Sequence, residues 1–253
     1  MLLSITEKCC MGCSHCLDDA RSDSENFITE EMFKYALDFN FKYDKTLMIT
    51  GGEPTEHPQF WHFLDIIAER LQYNQVVTVM TNGMYLSDKD IPKVDELKNK
   101  CEGKILFQVS SIKPYYPIHI DLDQKIFRRK DDFFIVRKIE RLEEIGRAAE
   151  HQNWIFTAKA PSCFNIRSIT RTQHDFRKSV SLLRSLEKFC TPQIAYDGSI
   201  KVGESMLCPA VAHIEDSEEQ IAEKISKFTC SYANCHKLLD KLPPECKMAI
   251  GEK

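Results

Sequence analysis

The first sixteen residues, which read MLLSITEKCCMGCSHC over positions 1–16, indicate both the fold and the chemistry of this chain. An apolar run at 2–6 predicts a short strand that leads directly into a cysteine-rich loop. Within that loop Cys9, Cys13 and Cys16 have the spacing CxxxCxxC. Thiolates are the usual ligands of iron–sulfur clusters, so three of them this close together can hold one cluster. A [4Fe–4S] cluster on three cysteines keeps an iron open for a bound molecule, whereas an electron carrier normally has a fourth cysteine.

Two other interpretations of this loop remain open from the residues alone. Cys10, Cys13 and Cys16 form a second spacing, CxxCxxC. A zinc knuckle is the alternative for the whole loop, with His15 or Cys10 as the fourth ligand. The chain has 11 cysteines in all, and in a reducing cytosol we expect them to bind metal rather than to form structural disulfides.

Downstream of the loop, strands and helices alternate along the chain. Further strands are predicted at 46–50, 76–80, 105–109 and 154–158, with a weaker one at 166–169. Helices are predicted after the N-cap Thr29, from Pro58 to about residue 73, at 88–100 behind Ser87, at 133–150 and at 175–189, with 113–131 irregular. Such alternation is typical of parallel β/α units. We therefore predict an α/β fold, a partial (β/α)6 TIM-like barrel.

Polar or glycine-rich motifs follow the second to fifth strands, at the carboxyl end of each. They are Gly51-Gly52-Glu53-Pro54 after the second strand, Thr81-Asn82-Gly83 after the third, Ser110 after the fourth, and Lys159, Ser162 and Cys163 after the fifth. Adjacent glycines allow a ligand to approach the backbone closely. In β/α barrels the carboxyl ends of the strands carry the active site, so we expect these motifs to meet at one face.

The cysteine spacing after the first strand and the GGEP motif after the second together resemble the radical SAM (S-adenosylmethionine) superfamily. The resemblance implies that Cys9, Cys13 and Cys16 bind the cluster and that Cys10 is a bystander, although His15 stands where the family usually has an aromatic residue. It also implies that SAM binds across several strand ends. In this family the GGEP backbone and its glutamate hold the amino group of SAM, the Thr81-Asn82 motif lies beside its methionine and ribose, and Ser110 is a candidate for its ribose or carboxylate.

The pattern changes near Cys190, so we predict a core domain at 1–189 and a smaller domain at 190–253. Asp197-Gly198 between two short apolar runs indicates a hairpin, and a helix is predicted at 217–228. The cysteine spacing here resembles the twitch and SPASM extensions of radical SAM enzymes, which hold auxiliary iron–sulfur clusters. The implied ligands are Cys190, Cys208, Cys230 and Cys235, with zinc on the same four as the competitor. Outside this set, Cys101 and Cys163 are expected to be buried apolar residues, and Cys246 has no assigned role.

Composition bounds the location and the partners of the protein. The chain has 253 residues, a formal net charge of -4 and a pI of about 6.1, so nucleic acid is not an expected partner. A basic stretch at 125–141 is interpreted as a solvated helix face, with a surface for an anionic ligand or partner as the alternative. The sequence contains no apolar run of about 18 residues and no signal peptide, so we expect a cytoplasmic protein without a membrane span.

The resemblance implies a reaction as well as cofactors. Reductive cleavage of SAM at the [4Fe–4S] cluster gives a 5′-deoxyadenosyl radical, which abstracts hydrogen from a substrate. We expect an external electron donor such as a flavodoxin or ferredoxin. A peptide or protein is the first expectation for the substrate and a small metabolite the second, and with only eight residues before Cys9 no N-terminal peptide-binding domain is expected. The alternative from another class is a non-catalytic iron–sulfur or zinc protein that carries electrons or binds partners.

Overall fold

The computed structural model describes residues 1–111, 117–129, 134–138, 193–201 and 206–227. Within these residues one open sheet runs through the molecule in the order β5-β4-β3-β2-β1-β6-β7-β8. Its strands are β1 (Leu2–Ser4), β2 (Thr46–Thr50), β3 (Val76–Thr81), β4 (Lys104–Ser111), β5 (Phe134–Lys138), β6 (Gln193–Ile194), β7 (Ser199–Lys201) and β8 (Ala210–His213).

The first five strands are parallel, and each pairs with the next one in the chain. In the register, Leu3 lies opposite Ile49, and Val77 lies opposite both Leu47 and Ile105. This sequential order is that of a barrel wall, whereas a doubly wound sheet reverses its strand order at a switch point. The described sheet is open, which confirms the predicted α/β fold of the partial-barrel type.

Three helices connect these strands and cover one face of the sheet: α1 (Glu30–Tyr43), α2 (Phe60–Arg70) and α3 (Ile91–Lys100). The side chain of Thr29 caps α1 by accepting from the amide of Met32, as its position predicted. Phe33 of α1 and Phe63 of α2 are fully buried, and their rings stack with centroids 4.1 Å apart. None of the helices that the structure describes is long and apolar enough to cross a membrane.

Two predicted helices differ from the structure, one in where it begins and one in its type over five residues. Helix α2 begins at Phe60, so Pro58 lies before it rather than at its first position. The helix predicted at 133–150 is wrong over Phe134–Lys138, which forms β5 and pairs in parallel with β4. Phenylalanine and β-branched residues favour strands, and a short apolar run does not distinguish strand from helix by periodicity. The rest of that prediction, with the strands at 154–158 and 166–169 and the helix at 175–189, lies outside the described residues.

The C-terminal residues extend the same sheet. Strand β6 pairs in parallel with β1 at the free edge of the barrel wall, and β6 and β7 form the predicted hairpin, with Gly198 at φ +83°. The predicted final helix is present as α4 (Glu218–Lys227). It is joined to α1 through Glu218, which accepts from the Tyr43 hydroxyl at 2.5 Å and forms an ion pair with Lys42 at 2.6 Å. The domain boundary near Cys190 stays a prediction, since residues 139–192 lie outside the description.

Candidate functional site

The cysteine loop is closed by backbone pairing between its two ends. Lys8 and Arg21 form a parallel bridge, in which the amide of Cys9 donates to the carbonyl of Arg21 at 3.0 Å and the amide of Arg21 donates to Glu7 at 3.3 Å. A second bridge, between Thr6 and Phe27, lies next to it. The loop is therefore held at its base while its cysteines project from a short closed segment.

Three of the four thiols in this loop share one neighbourhood. Cys9 and Cys13 are each 9% exposed and pack with Met11 and Ala20, and Cys16 packs against the same group. Burial raises the pKa of Cys9 to about 12, against the hydrogen bond from the Met11 backbone. A thiol binds metal as the thiolate, so a cluster held here would displace the proton from Cys9.

Cys10 lies apart from these thiols, at the surface. Its amide donates to Glu56 at 2.6 Å, and a hydrogen bond to the same carboxylate raises the pKa of its thiol. The thiol also interacts with Tyr85, and both residues line an open cavity of about 580 Å³ at the start of α2. The structure thus places Cys9, rather than Cys10, beside Cys13 and Cys16.

The GGEP loop lies directly against the base of the cysteine loop. The amide of Gly52 donates to the carbonyl of Thr6 at 2.7 Å, and the amide of Glu53 donates to Lys8 at 2.8 Å. Gly51 has φ +147°, and a Cβ built there would lie 2.4 Å from the carbonyl oxygen of Thr6. The two loops therefore meet backbone to backbone, at a separation that only glycine allows.

The carboxylate of Glu53 joins the loops after β2 and β3. It is 1% exposed and accepts from the amide and hydroxyl of Thr55, at 3.1 and 2.6 Å, from the hydroxyl of Thr81 at 2.6 Å and from the amide of Asn82 at 2.7 Å. Burial raises the pKa of Glu53 although these hydrogen bonds act in the opposite direction. In this conformation its side chain joins the loops after β2 and β3, while the amides of Gly52 and Glu53 itself are engaged by the cysteine loop.

Replacement of Glu53 tests this role. We expect Glu53→Ala to lower the free energy of unfolding by about 3 kcal/mol or more, because the buried donors of Thr81 and Asn82 lose their acceptor. Urea denaturation of the purified protein measures the effect. The exposed Glu25 is the matched control, and Glu25→Ala should leave the midpoint nearly unchanged. Equal midpoints for both variants would contradict the bridging role.

Asn82 connects the loop after β3 to the cysteine loop. Its side-chain amide lies 3.9 Å from the sulfur of Cys9, and its side-chain oxygen accepts from the amide of Met84 at 2.8 Å, which closes a local turn. The hydroxyl of Thr81 accepts from the amide of Gly83 at 2.9 Å. The ends of β1, β2 and β3 are thus linked around Cys9, as expected for motifs at the carboxyl ends of parallel strands.

The other predicted site residues have different outcomes. Ser110 lies at the end of β4, opposite Arg137 in the register, and no hydrogen bond connects it to these three loops among the described residues. Cys208 is buried. Cys101, expected to be buried, is half-buried and packs against the main core. The remaining candidates lie outside the described residues: Cys190, Cys230, Cys235, Cys163, Cys246, Lys159 and Ser162.

No three His, Cys, Asp or Glu side chains converge as ligands of a single metal ion within the described parts of the chain. The assignment of Cys9, Cys13 and Cys16 to a cluster therefore relies on their packing in one group, in which Cys16 is half-buried, and on the three loops linked around Cys9. The donor set fits an iron–sulfur cluster, since all three groups are thiols.

His57 fastens the segment that follows the GGEP loop. It is buried, one ring nitrogen donates to the carbonyl of Ile28 at 3.0 Å, and the other accepts from the amide of Gln59 at 3.0 Å. The bond from Gln59 requires the neutral ring, whereas the bond to Ile28 is possible in either protonation state. Burial lowers the pKa of His57 below its ordinary value near 6.5, against the hydrogen bond to Ile28. Protonation of Nδ1 would remove the acceptor of the hydrogen bond from the Gln59 amide.

A pH dependence of stability follows from His57. Below pH 6.5 the unfolded chain binds a proton at this residue that the folded chain does not, so stability falls as the pH drops through about 6.5 toward the lowered pKa. We expect His57→Gln to reduce this acid loss. Midpoints of thermal unfolding, measured at intervals of about half a pH unit between pH 5 and 8, give the slope of stability against pH. His62→Gln, at a half-exposed surface position, is the control; equal slopes in both variants would contradict the assignment.

Fold and site together define a class of protein: a parallel β/α enzyme fold with a loop of three neighbouring thiols at the carboxyl ends of its strands. The chain belongs to the radical SAM superfamily, whose family model matches residues 3–149, more than half of its length.

Relatives and solved structures are consistent with this membership. The chain is 30% identical over 100 residues to the tungsten-containing aldehyde ferredoxin oxidoreductase cofactor-modifying protein of Pyrococcus furiosus, which covers 38% of this chain and 27% of that protein. It is 28% identical over 97 residues to the antilisterial bacteriocin subtilosin biosynthesis protein AlbA of Bacillus subtilis, covering 38% and 21%. The matches span well under half of these relatives. The crystal structure of BtrN in complex with AdoMet and 2-DOIA shares the fold, with a TM-score of 0.53 and 12% identity over 90% of this chain and 83% of that chain.

Proposed function

We propose that this protein is a radical SAM enzyme that holds a [4Fe–4S] cluster on Cys9, Cys13 and Cys16 and cleaves SAM there reductively. The observation that carries the proposal is the packing of these three thiols in one group, with Cys9 and Cys13 buried and Cys16 half-buried. The loop that carries them contacts the GGEP loop through two backbone hydrogen bonds. When bound and reduced, such a cluster supplies the electron that breaks a carbon–sulfur bond of SAM and so gives the radical that takes hydrogen from the substrate.

The protein side of this chemistry is positioning and exclusion of water. Met11 and Ala20 cover the buried thiols of Cys9 and Cys13 with apolar surface, which keeps water from the ligands. Asn82 contributes a weak N–H···S contact to Cys9, and hydrogen bonds to ligand sulfur tune the reduction potential of a cluster. Glu53 fixes the loops after β2 and β3 relative to each other, so the backbone that faces SAM is set before SAM binds.

Substrate and partners are proposed from the relatives. One relative is named for subtilosin biosynthesis and the other for cofactor modification, so a peptide is our first proposal and a small molecule the second. We further propose a flavodoxin or ferredoxin as the electron donor and an auxiliary cluster on Cys190, Cys208, Cys230 and Cys235. Burial of Cys208 in the turn before β8 supports a structured site in that region.

The test is a SAM cleavage assay on the anaerobically purified and reconstituted protein. Iron and sulfide are counted, and dithionite and SAM are added while 5′-deoxyadenosine is measured. About eight irons per chain would support two clusters, and about four with cleavage would support the first cluster and remove the auxiliary one. Bound zinc, no iron and no cleavage would replace the proposal by the non-catalytic alternative.

A further inference from the structure

A turn near the C-terminus is hydrogen-bonded to the cysteine loop near the N-terminus. The amide of Met206 donates to the carboxylate of Asp18 at 2.7 Å, between residues 188 positions apart in the chain. Asp18 is two residues beyond Cys16. The turn at 206–208 carries Cys208, the one C-terminal ligand candidate among the described residues.

Lys201 holds the same turn from the other side. Its ammonium group donates to the carbonyl of Met206 at 2.6 Å and to the carbonyl of Cys208 at 3.2 Å. Met206 and Cys208 are buried, whereas Leu207 between them is 43% exposed. Three backbone groups of the turn are therefore fixed by two charged side chains, one from β7 and one from the cysteine loop.

Asp18 lies within a tight turn that also orients Cys16. The amide of Cys16 donates to the carbonyl of Cys13 at 3.3 Å, and the sulfur of Cys16 accepts from the amide of Ala20 at 3.4 Å. Asp19 has φ +51°, in the left-handed region. Two peptide units separate Asp18 from Cys16, a span of at most about 7 Å. A displacement of the backbone at Asp18 therefore also displaces Cys16.

We propose that Asp18 is a positioning residue that latches the 206–208 turn onto the cysteine loop and thereby orients Cys16. The latch consists of Asp18, Met206 and Lys201. It makes the geometry of the first site depend on the turn that carries Cys208, which is a route by which the two ends of the chain influence each other. Its meaning for catalysis rests on the proposed function, since it requires Cys16 to be a cluster ligand.

The latch is tested first without any cluster, in the unloaded protein under reducing conditions. Asp18→Ala removes the acceptor, whereas Asp18→Asn keeps an acceptor oxygen of the same shape. We expect Asp18→Ala to speed hydrogen exchange at the Met206 amide, and iodoacetamide alkylation of Cys16, by about tenfold or more. Asp18→Asn should stay close to the unmodified protein. Asp23→Ala, at an exposed position on the same segment, is the control and should change neither rate.

Lys201→Met distinguishes a latch from a local effect of Asp18. It leaves the cysteine loop untouched but removes the donor to the two carbonyls of the turn. Faster alkylation of Cys16 in Lys201→Met supports the latch, and an unchanged rate overturns it even if Asp18→Ala is unstable.

In the reconstituted protein, the electron paramagnetic resonance signal of the reduced first cluster should shift in Asp18→Ala. In Asp18→Asn it should match the signal of the unmodified protein. A signal that is identical in all variants overturns the positioning role. If no cluster binds, the proposed function fails, and the exchange and alkylation rates still decide on the latch.

Discussion

Cys9→Ala is expected to lose the first cluster and SAM cleavage, whereas Cys10→Ala should retain both. Cys9 shares a buried neighbourhood with Cys13 and Cys16, while Cys10 is exposed and interacts with Glu56. Outer-shell partners of a metal ligand are already worth about 10–100-fold in affinity or activity, so loss of a ligand should exceed that range. Iron content and 5′-deoxyadenosine formation in the reconstituted variants measure the two effects.

The pair of variants is its own control, because each removes one thiol from adjacent positions. Cys10→Ala removes only the surface contacts of its thiol with Glu56 and Tyr85. The opposite result, with cleavage lost in Cys10→Ala and kept in Cys9→Ala, would move the cluster to the CxxCxxC spacing. Loss of cleavage in both variants, with iron lost only from Cys9→Ala, would show that the surface contacts of Cys10 also matter. Iron retained in Cys9→Ala would contradict its role as a ligand.

The sequence was sufficient for the first four parallel strands and for the place where three of their carboxyl-end loops meet. Regular alternation predicted β1 to β4, and the rule for carboxyl strand ends predicted that the loops after β1, β2 and β3 would meet. The prediction failed at Phe134–Lys138, where an apolar run fitted both helix and strand. Only pairing with β4, a contact between segments far apart in the chain, settles that choice.

Side-chain roles at the site were less predictable than its location. The glutamate of the GGEP motif was expected to bind SAM, and the structure shows its carboxylate engaged by Thr55, Thr81 and Asn82. The bond from Cys10 to Glu56 joins residues 46 positions apart, and no local periodicity signals such a pair. Contacts of this kind follow from the fold, so they become visible only once the strands are placed.

The second large effect is expected at Gly52. A Cβ built there would lie 2.2 Å from the carbonyl oxygen of Lys8 and 2.6 Å from its carbonyl carbon, both backbone atoms. Overpacking typically costs about 1–3 kcal/mol when side chains can move, and a clash with backbone offers less relief. We therefore expect Gly52→Ala to lower the free energy of unfolding by more than about 3 kcal/mol in urea denaturation. Because Lys8 precedes Cys9, cluster uptake should fall as well.

Gly12→Ala is the matched control, since it adds the same methyl group within the cysteine loop. Gly12 has φ +64°, so alanine there meets the left-handed conformation, but nothing lies within 4 Å of the added Cβ. Its cost should be limited to about 1–2 kcal/mol, the usual penalty for that conformation. A larger loss in Gly52→Ala than in Gly12→Ala would identify close backbone approach, rather than backbone strain, as the reason for the glycine. Equal losses would mean that the loops separate at little cost, and the backbone of the GGEP loop would then not be preset for a ligand.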